Sequence, residues 1–209
     1  MMDILYQDRQ VVVVVKPGGL LAVPGRGPDK LDSVATRLRQ EVPGMIAQPA
    51  VHRLDMYTSG LMVFAVTGAA HRLLSMDFAA GRVEKGYTAL LEGEVDEEEG
   101  EMRLRFRLDP QRRPLQVYDP QQGKLGITRW RRLCREGCLT RVLFTPLTGR
   151  THQLRLHAAH PLGLAVPIKG DSLYGIGSEG EAMCLHASSL AFRHPEGGQR
   201  LDFHSPPPF

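Results

Sequence analysis

Between residues 102 and 108 the chain alternates strictly. Met102, Leu104, Phe106 and Leu108 are apolar, and Arg103, Arg105 and Arg107 lie between them. A period of two marks a strand with one face against a core and the other in water. The strand expected here carries an arginine face. Other segments read the same way. The run 11–15, five valines ended by Lys16-Pro17-Gly18-Gly19, is a short buried strand. Residues 60–66, 87–91, 127–133, 139–144, 185–192 and 200–203 are further strand candidates. Helical patterns are fewer. One runs from a cap at Asp32 or Ser33 to about Val42, with Val34, Leu38 and Val42 on one face and Pro43-Gly44 as its stop. A second spans 69–80 and ends at Gly81, and a third spans 151–160. Strands outnumber helices and do not alternate strictly with them. The expected fold is therefore α+β, a mixed and mostly antiparallel sheet flanked by helices, not a doubly wound one. The 209 residues suit one catalytic-sized domain, either whole or as two lobes around a central cleft.

Composition narrows the class. The chain is 42% hydrophobic and 23% charged, an ordinary globular balance. Its start, Met1-Met2-Asp3-Ile4-Leu5, has neither a basic nor an apolar signal region, and the run 11–15 is far too short to span a bilayer. A soluble cytoplasmic protein is expected. The net charge is only +3, but residues 101–135 hold ten basic side chains against three acidic ones. Most basic residues are arginine, which suits bidentate phosphate contacts and stacking on bases. That excess fits an anionic partner, and it equally fits a solvated basic face.

Several motifs carry little. Cys134-x3-Cys138 with Cys184-x-His186 has unusual spacing for zinc, so free thiols and no metal are expected. Gly175-x-Gly177-x-x-Gly180 matches the dinucleotide fingerprint in letters only. No strand leads into it, and too little chain follows for a binding unit, so it is expected to be a loop. His152 and His157 are five apart and do not share a helical face. Two segments carry more. His52, Arg53, Asp55, Thr58 and Ser59 pack five polar groups into eight residues before an apolar strand. Local grammar leaves a turn built on Asp55 and a catalytic site equally open. Gly149-Arg150-Thr151-His152-Gln153-Leu154-Arg155 sets two arginines at a loop-to-helix junction, where either could partner a buried carboxylate.

Taken in order, the blocks resemble one family. His52-Arg53-Leu54-Asp55-x-x-Thr58-Ser59-Gly60-Leu61 is similar to the active-site signature of the RluA-type pseudouridine synthases. Lys16-Pro17-x-Gly19-Leu20 with Pro24-Gly25 resembles the family's N-terminal block, and Glu84-Lys85-x-Tyr87 its tyrosine block. Thr148 to Arg155 resembles its arginine block. Leu185-His186-Ala187 through His194-Pro195 to Ser205-Pro206-x-Pro208 resembles its closing strands.

The resemblance implies an isomerase that converts uridine to pseudouridine in structured RNA, breaking the N-glycosidic bond and rejoining the base through C5, without metal or organic cofactor. It implies a mixed sheet with the active site in a central cleft. Asp55 matches the catalytic aspartate, Tyr87 the tyrosine that packs on the target base, and Arg155 the arginine that pairs with the aspartate. His52, Arg53, Thr58, Arg150 and His152 are the neighbours expected to meet substrate. The implied substrates are uridines in large-subunit (23S) ribosomal RNA, in a tRNA anticodon stem-loop, or in both, bound by a monomer. Such a uridine must leave its stack at a cost of a few kcal/mol. Many relatives carry an S4-type RNA-binding domain. Here the catalytic blocks begin within twenty residues, as in the short members without one. Lys169 stands where relatives usually have an apolar residue, which bears on local RNA contact. Three alternatives remain: an inactive RNA-binding protein of the same fold, a synthase for a different single rRNA or tRNA site, and a nucleoside hydrolase using Asp55. The joint presence of Asp55, Tyr87 and Arg155 speaks against the first, and the blocks give no reason for the last.

Overall fold

A computed structural model describes residues 1–178 and 180–209. In chain order its elements are β1 (Asp3–Gln7), β2 (Val11–Lys16), α1 (Val34–Glu41), β3 (Ser59–Ala65), α2 (Gly68–Ala79), β4 (Glu84–Leu91), β5 (Glu99–Leu108), β6 (Gln116–Tyr118), β7 (Lys124–Glu136), β8 (Leu139–Pro146), α3 (Gln153–Ala159), β9 (Leu185–Arg193) and β10 (Arg200–His204). The chain divides into two compact units. The first is Met1–Lys85 with His186–Pro208, and the second is Gly86–Leu185 with Phe209.

In the first unit the strand order is β1-β2-β3-β9, and β10 also pairs with β9. Every pairing there is antiparallel except β3 with β9, where Ser59 and Gly60 lie parallel to His186 and Ala187. Val11 to Val14 and all seven residues of β3 are buried, which is why both strands read as continuous apolar runs without alternation. Ala70 and Leu74 of α2 pack against Val11, Val13, Leu61 and Val63, with Leu190 and Phe192 of β9 in the same cluster. Both helices open on a hydroxyl cap. Ser33 accepts the Thr36 N–H, and Thr67 accepts that of Ala70.

In the second unit the order is β4-β8-β7-β5-β6, antiparallel throughout. The alternation that opened the sequence reading is present: Met102, Leu104 and Phe106 are buried and Arg103 and Arg105 exposed. It stops one step early, since Leu108 is exposed. Leu156 of α3 packs on Leu104 and Phe106.

The differences from the sequence reading are local. β1 and β6 were not foreseen. β1 has only β2 beside it, and β6 is three residues long. The third helix starts at Gln153 rather than at residue 151, because His152 sits at φ +56° and cannot continue a helix. The stretch from Gly175 to Gly180 is irregular chain, with Glu179 outside the described residues. Cys134, Cys138 and Cys184 are free thiols, and among the described residues no group of three or more potential ligands is placed to hold a metal ion. No helix of the described residues is long and apolar enough to cross a membrane.

Candidate active site

The first unit holds His52, Arg53, Asp55 and Thr58. Residues 49–58 form a loop laid along β3. The Ala65 N–H donates to the Pro49 carbonyl at 2.8 Å, and the Thr58 N–H donates to the Asp55 carbonyl at 3.2 Å. Asp55 is half-buried, whereas Thr58 is buried and Arg53 exposed.

What braces this loop is the Lys16 block. The Lys16 side chain is fully buried, an expensive place for an ammonium group. Each of its three N–H bonds has an acceptor at 2.8 Å: the carbonyls of Pro17, Leu20 and Met56. The Met56 carbonyl also accepts the Gly19 N–H at 2.9 Å. The residue next to Asp55 is thus tied to β2's end by one side chain and one backbone bond. Burial pushes the Lys16 ammonium down to a pKa of about 8, and the negative charge of Asp55 pulls against that shift. Within this unit Lys16 is a cation electrostatically coupled to Asp55. The sequence reading gave it no such role, because a bond to a backbone carbonyl has no sequence signature.

His52 is committed to its own unit. Its Nε2 accepts the Val63 N–H at 3.1 Å, and its ring stacks on Phe78 with centroids 4.4 Å apart. Burial, with the Lys85 charge nearby, holds its pKa down at about 3, so it is neutral at physiological pH with its proton on Nδ1. At the other end of the signature, Ser59 Oγ and His186 Nδ1 are 2.8 Å apart, and His186 Nε2 and Ser205 Oγ are 3.0 Å apart, all three residues buried. This chain of hydrogen bonds joins the signature to the closing block. Gly60 follows at φ +110°, against the backbone of Ala187 on β9. An added Cβ would come within 2.4 Å of the Ala187 oxygen.

The second unit holds Tyr87, Arg150, His152 and Arg155. Tyr87 is half-buried on β4, in register with the buried Phe144 of β8. Arg155 is buried on α3, and its Nε and Nη2 donate to Asp171 Oδ2 and Oδ1 at 2.8 and 2.6 Å. Burial would raise the Asp171 carboxyl. The Arg155 charge and hydrogen bonds, with N–H bonds from Leu173 and Tyr174, outweigh it and hold the group below its ordinary value. An arginine of this segment does partner a buried carboxylate, as charge logic expected, and the carboxylate seen here is Asp171, which that logic did not identify.

Gln153 organises the loop before α3. Its Oε1 accepts from Thr148 Oγ1 and the Arg150 N–H, and its Nε2 donates to the Ile127 carbonyl and Thr128 Oγ1. Arg150 itself is exposed. His152 Nδ1 lies 2.9 Å from the Tyr174 hydroxyl, which accepts the Gln116 N–H at 2.7 Å.

The arginine face is less positive in space than in sequence. The strand register sets the acidic residues between β4 and β5 beside β7, so Arg135 meets Glu94 and Asp96, and Arg132 meets Glu98. Glu101 takes Arg103 and Arg129, while Asp119 takes Arg107 and Asp109 takes Arg112. Counting charges along 101–135 missed the acids that pairing brings in from outside that window. The solvent-exposed pairs among these are worth about 0.2–1 kcal/mol each.

The first unit thus holds a half-buried Asp55 in a braced loop, and the second holds a half-buried Tyr87 and an Arg155 held by Asp171. Comparison with known proteins identifies the class. Residues 10–160 match the RNA pseudouridylate synthase family, and the chain belongs to that family. It is an isomerase that converts uridine to pseudouridine in RNA. Among similar curated proteins is the dual-specificity RNA pseudouridine synthase RluA of Pasteurella multocida, 42% identical over 212 residues, covering 100% of this chain and 94% of that one. The protein of the same name from Escherichia coli K12 is 40% identical, with 99% and 93% covered. Among solved structures, human RNA pseudouridylate synthase domain containing 1 superposes with a TM-score of 0.78 at 30% identity, covering 100% of this chain and 84% of that one.

Proposed function

We propose that Asp55 is the catalytic carboxylate, that Tyr87 packs on the target base, and that Arg155 serves as the aspartate's charge partner. The substrate is a stem-loop uridine in large-subunit ribosomal RNA, in a tRNA anticodon arm, or in both. The observation that carries the reading is the brace on Asp55: a fully buried ammonium and a backbone N–H converge on the carbonyl of the next residue, Met56. Such a brace restricts where the carboxylate can go, and positioning of this kind supplies much of an enzyme's advantage.

The reaction balances without an oxidant. The C1′–N1 bond breaks, the base turns, and the C1′–C5 bond forms. The C5 proton leaves and N1 gains one. Arg53, exposed beside Asp55, and Arg150, exposed before α3, are placed to meet RNA phosphate, while Thr58 and His152 support the loops they sit in. The similarity to relatives named dual-specificity supports action on two RNA classes. Free thiols fit a reducing cytoplasm, and the enzyme acts there as a monomer.

The test uses C5-tritiated uridine in unmodified rRNA and tRNA transcripts. Wild type releases tritium from both, and Asp55→Asn releases none while still binding RNA. Release by Asp55→Asn at a wild-type rate removes Asp55 from its role, and release from one transcript only reduces the specificity to that RNA.

A further inference from the structure

We infer that Asp171 is a positioning residue for the isomerisation, fixing the orientation of the Arg155 guanidinium. The inference rests on the role proposed for Arg155 above. Asp171 is 1% exposed and Arg155 3% exposed. Burying such a pair costs desolvation that its attraction barely repays, so it is an inefficient way to gain stability. It is an efficient way to fix geometry. The carboxylate takes the guanidinium side-on, through Nε and Nη2 together, which sets the plane of the fork. Anything else Arg155 serves, it serves from the Nη1 side or the second Nη2 hydrogen.

The carboxylate is itself pinned. Oδ1 accepts the N–H groups of Leu173 and Tyr174 at 2.9 and 3.1 Å, so its place is set by backbone. The Tyr174 ring lies against the guanidinium, 5.3 Å from centroid to Cζ. That ring is held in turn by its hydroxyl, between the Gln116 N–H and His152 Nδ1. Two hydrogen bonds and one ring face, all from residues 171–174, thus constrain a single guanidinium, and the ring is tied further to Gln116 and His152. A lysine at 155 would supply the same charge without the fork.

The test compares Asp171→Asn, Arg155→Lys, Asp55→Asn and wild type in steady-state tritium release. Asp171→Asn keeps the shape but removes one acceptor of the fork. Its kcat is expected to fall about 10–100-fold, as displacement of a reacting group by about 1 Å would cause, with KM for RNA within about threefold. Arg155→Lys is expected to show the same split, and the double variant to be no slower than the slower single one. Should Asp171→Asn fail to fold, Arg155→Lys decides: a folded lysine variant with wild-type kcat overturns the inference, and one with low kcat at unchanged KM supports it. Asp171→Asn with wild-type kcat, beside an inactive Asp55→Asn, overturns this inference alone. An active Asp55→Asn overturns the reading of the site beneath it.

Discussion

Replacing Gly60 by alanine tests whether the catalytic signature is locked to β9 as tightly as the backbone implies. Two costs arise. At φ +110° an L-residue is strained by about 1–3 kcal/mol. The new Cβ would also stand 2.4, 2.5 and 2.8 Å from the oxygen, nitrogen and carbonyl carbon of Ala187, where ordinary contact begins near 3.4 Å. These are backbone atoms of β9, paired with β3 at this very position, so no side chain can swing away. Overpacking of this kind costs about 1–3 kcal/mol more. The expected loss is about 2–6 kcal/mol, a large part of a typical domain's stability of about 5–15 kcal/mol. Urea unfolding reads it directly. With a slope of about 2–3 kcal/mol per molar, the midpoint falls by about 0.7–3 M. Gly44→Ala is the control. It has φ +79° but nothing within 4 Å of its Cβ, so it bears strain alone, about 1–2 kcal/mol. Equal midpoints for the two variants would refute the steric argument, and a Gly60→Ala loss below about 1 kcal/mol would refute both parts.

Three further outcomes are expected. Lys16→Met strips a donor from three carbonyls and loosens the Met56 anchor. It costs about 3 kcal/mol or more in urea midpoint, and its turnover falls further than its RNA affinity does. Gln153→Ala removes four hydrogen bonds around residues 127–150 and lowers stability by about 2–3 kcal/mol, measured the same way. His157 governs an acid response. It is fully buried, neither ring nitrogen has a hydrogen-bond partner among the described residues, and burial, with His160 adding to it, holds its pKa down at about 4 against an ordinary 6.5. Between these values the unfolded chain takes up a proton that the folded one refuses. Stability from this group is therefore complete above pH 6.5 and falls as pH drops towards 4, by about 1.4 kcal/mol per unit. His157→Leu should flatten that slope between pH 6.5 and 5, and an unchanged slope would remove His157 as its source.

The fold was legible where burial is periodic or unbroken. β5 showed itself through Met102, Leu104 and Phe106, and β2 and β3 through runs buried on both faces. β1 escaped because it is an edge strand whose burial never passes intermediate, and β6 because three residues leave no period. The residues of the site were readable as blocks, but the forces between them were not. Lys16 works through carbonyls, which every residue has. Asp171 meets Arg155 across sixteen positions that only the fold brings together. The arginine run left two readings open, and the acids Glu94 and Asp96 that meet Arg135 come from outside the run, where summing along the chain does not count them.

The first unit is assembled from two pieces of chain, Met1–Lys85 and His186–Pro208, and all of the second but Phe209 lies between them. On the ribosome, where the N-terminal end emerges first, every residue of Gly86–Leu185 is made before β9 exists. Until then β3 has β2 along one edge and the 49–52 loop along part of the other, while its Ser59–Gly60 end, which pairs with β9, is uncovered. A bare edge of that kind is a template for pairing with other chains. The nascent protein therefore passes through a stage, about a hundred residues long, in which the segment 52–61 has been translated but its Ser59–Gly60 pairing with β9 is still unmade.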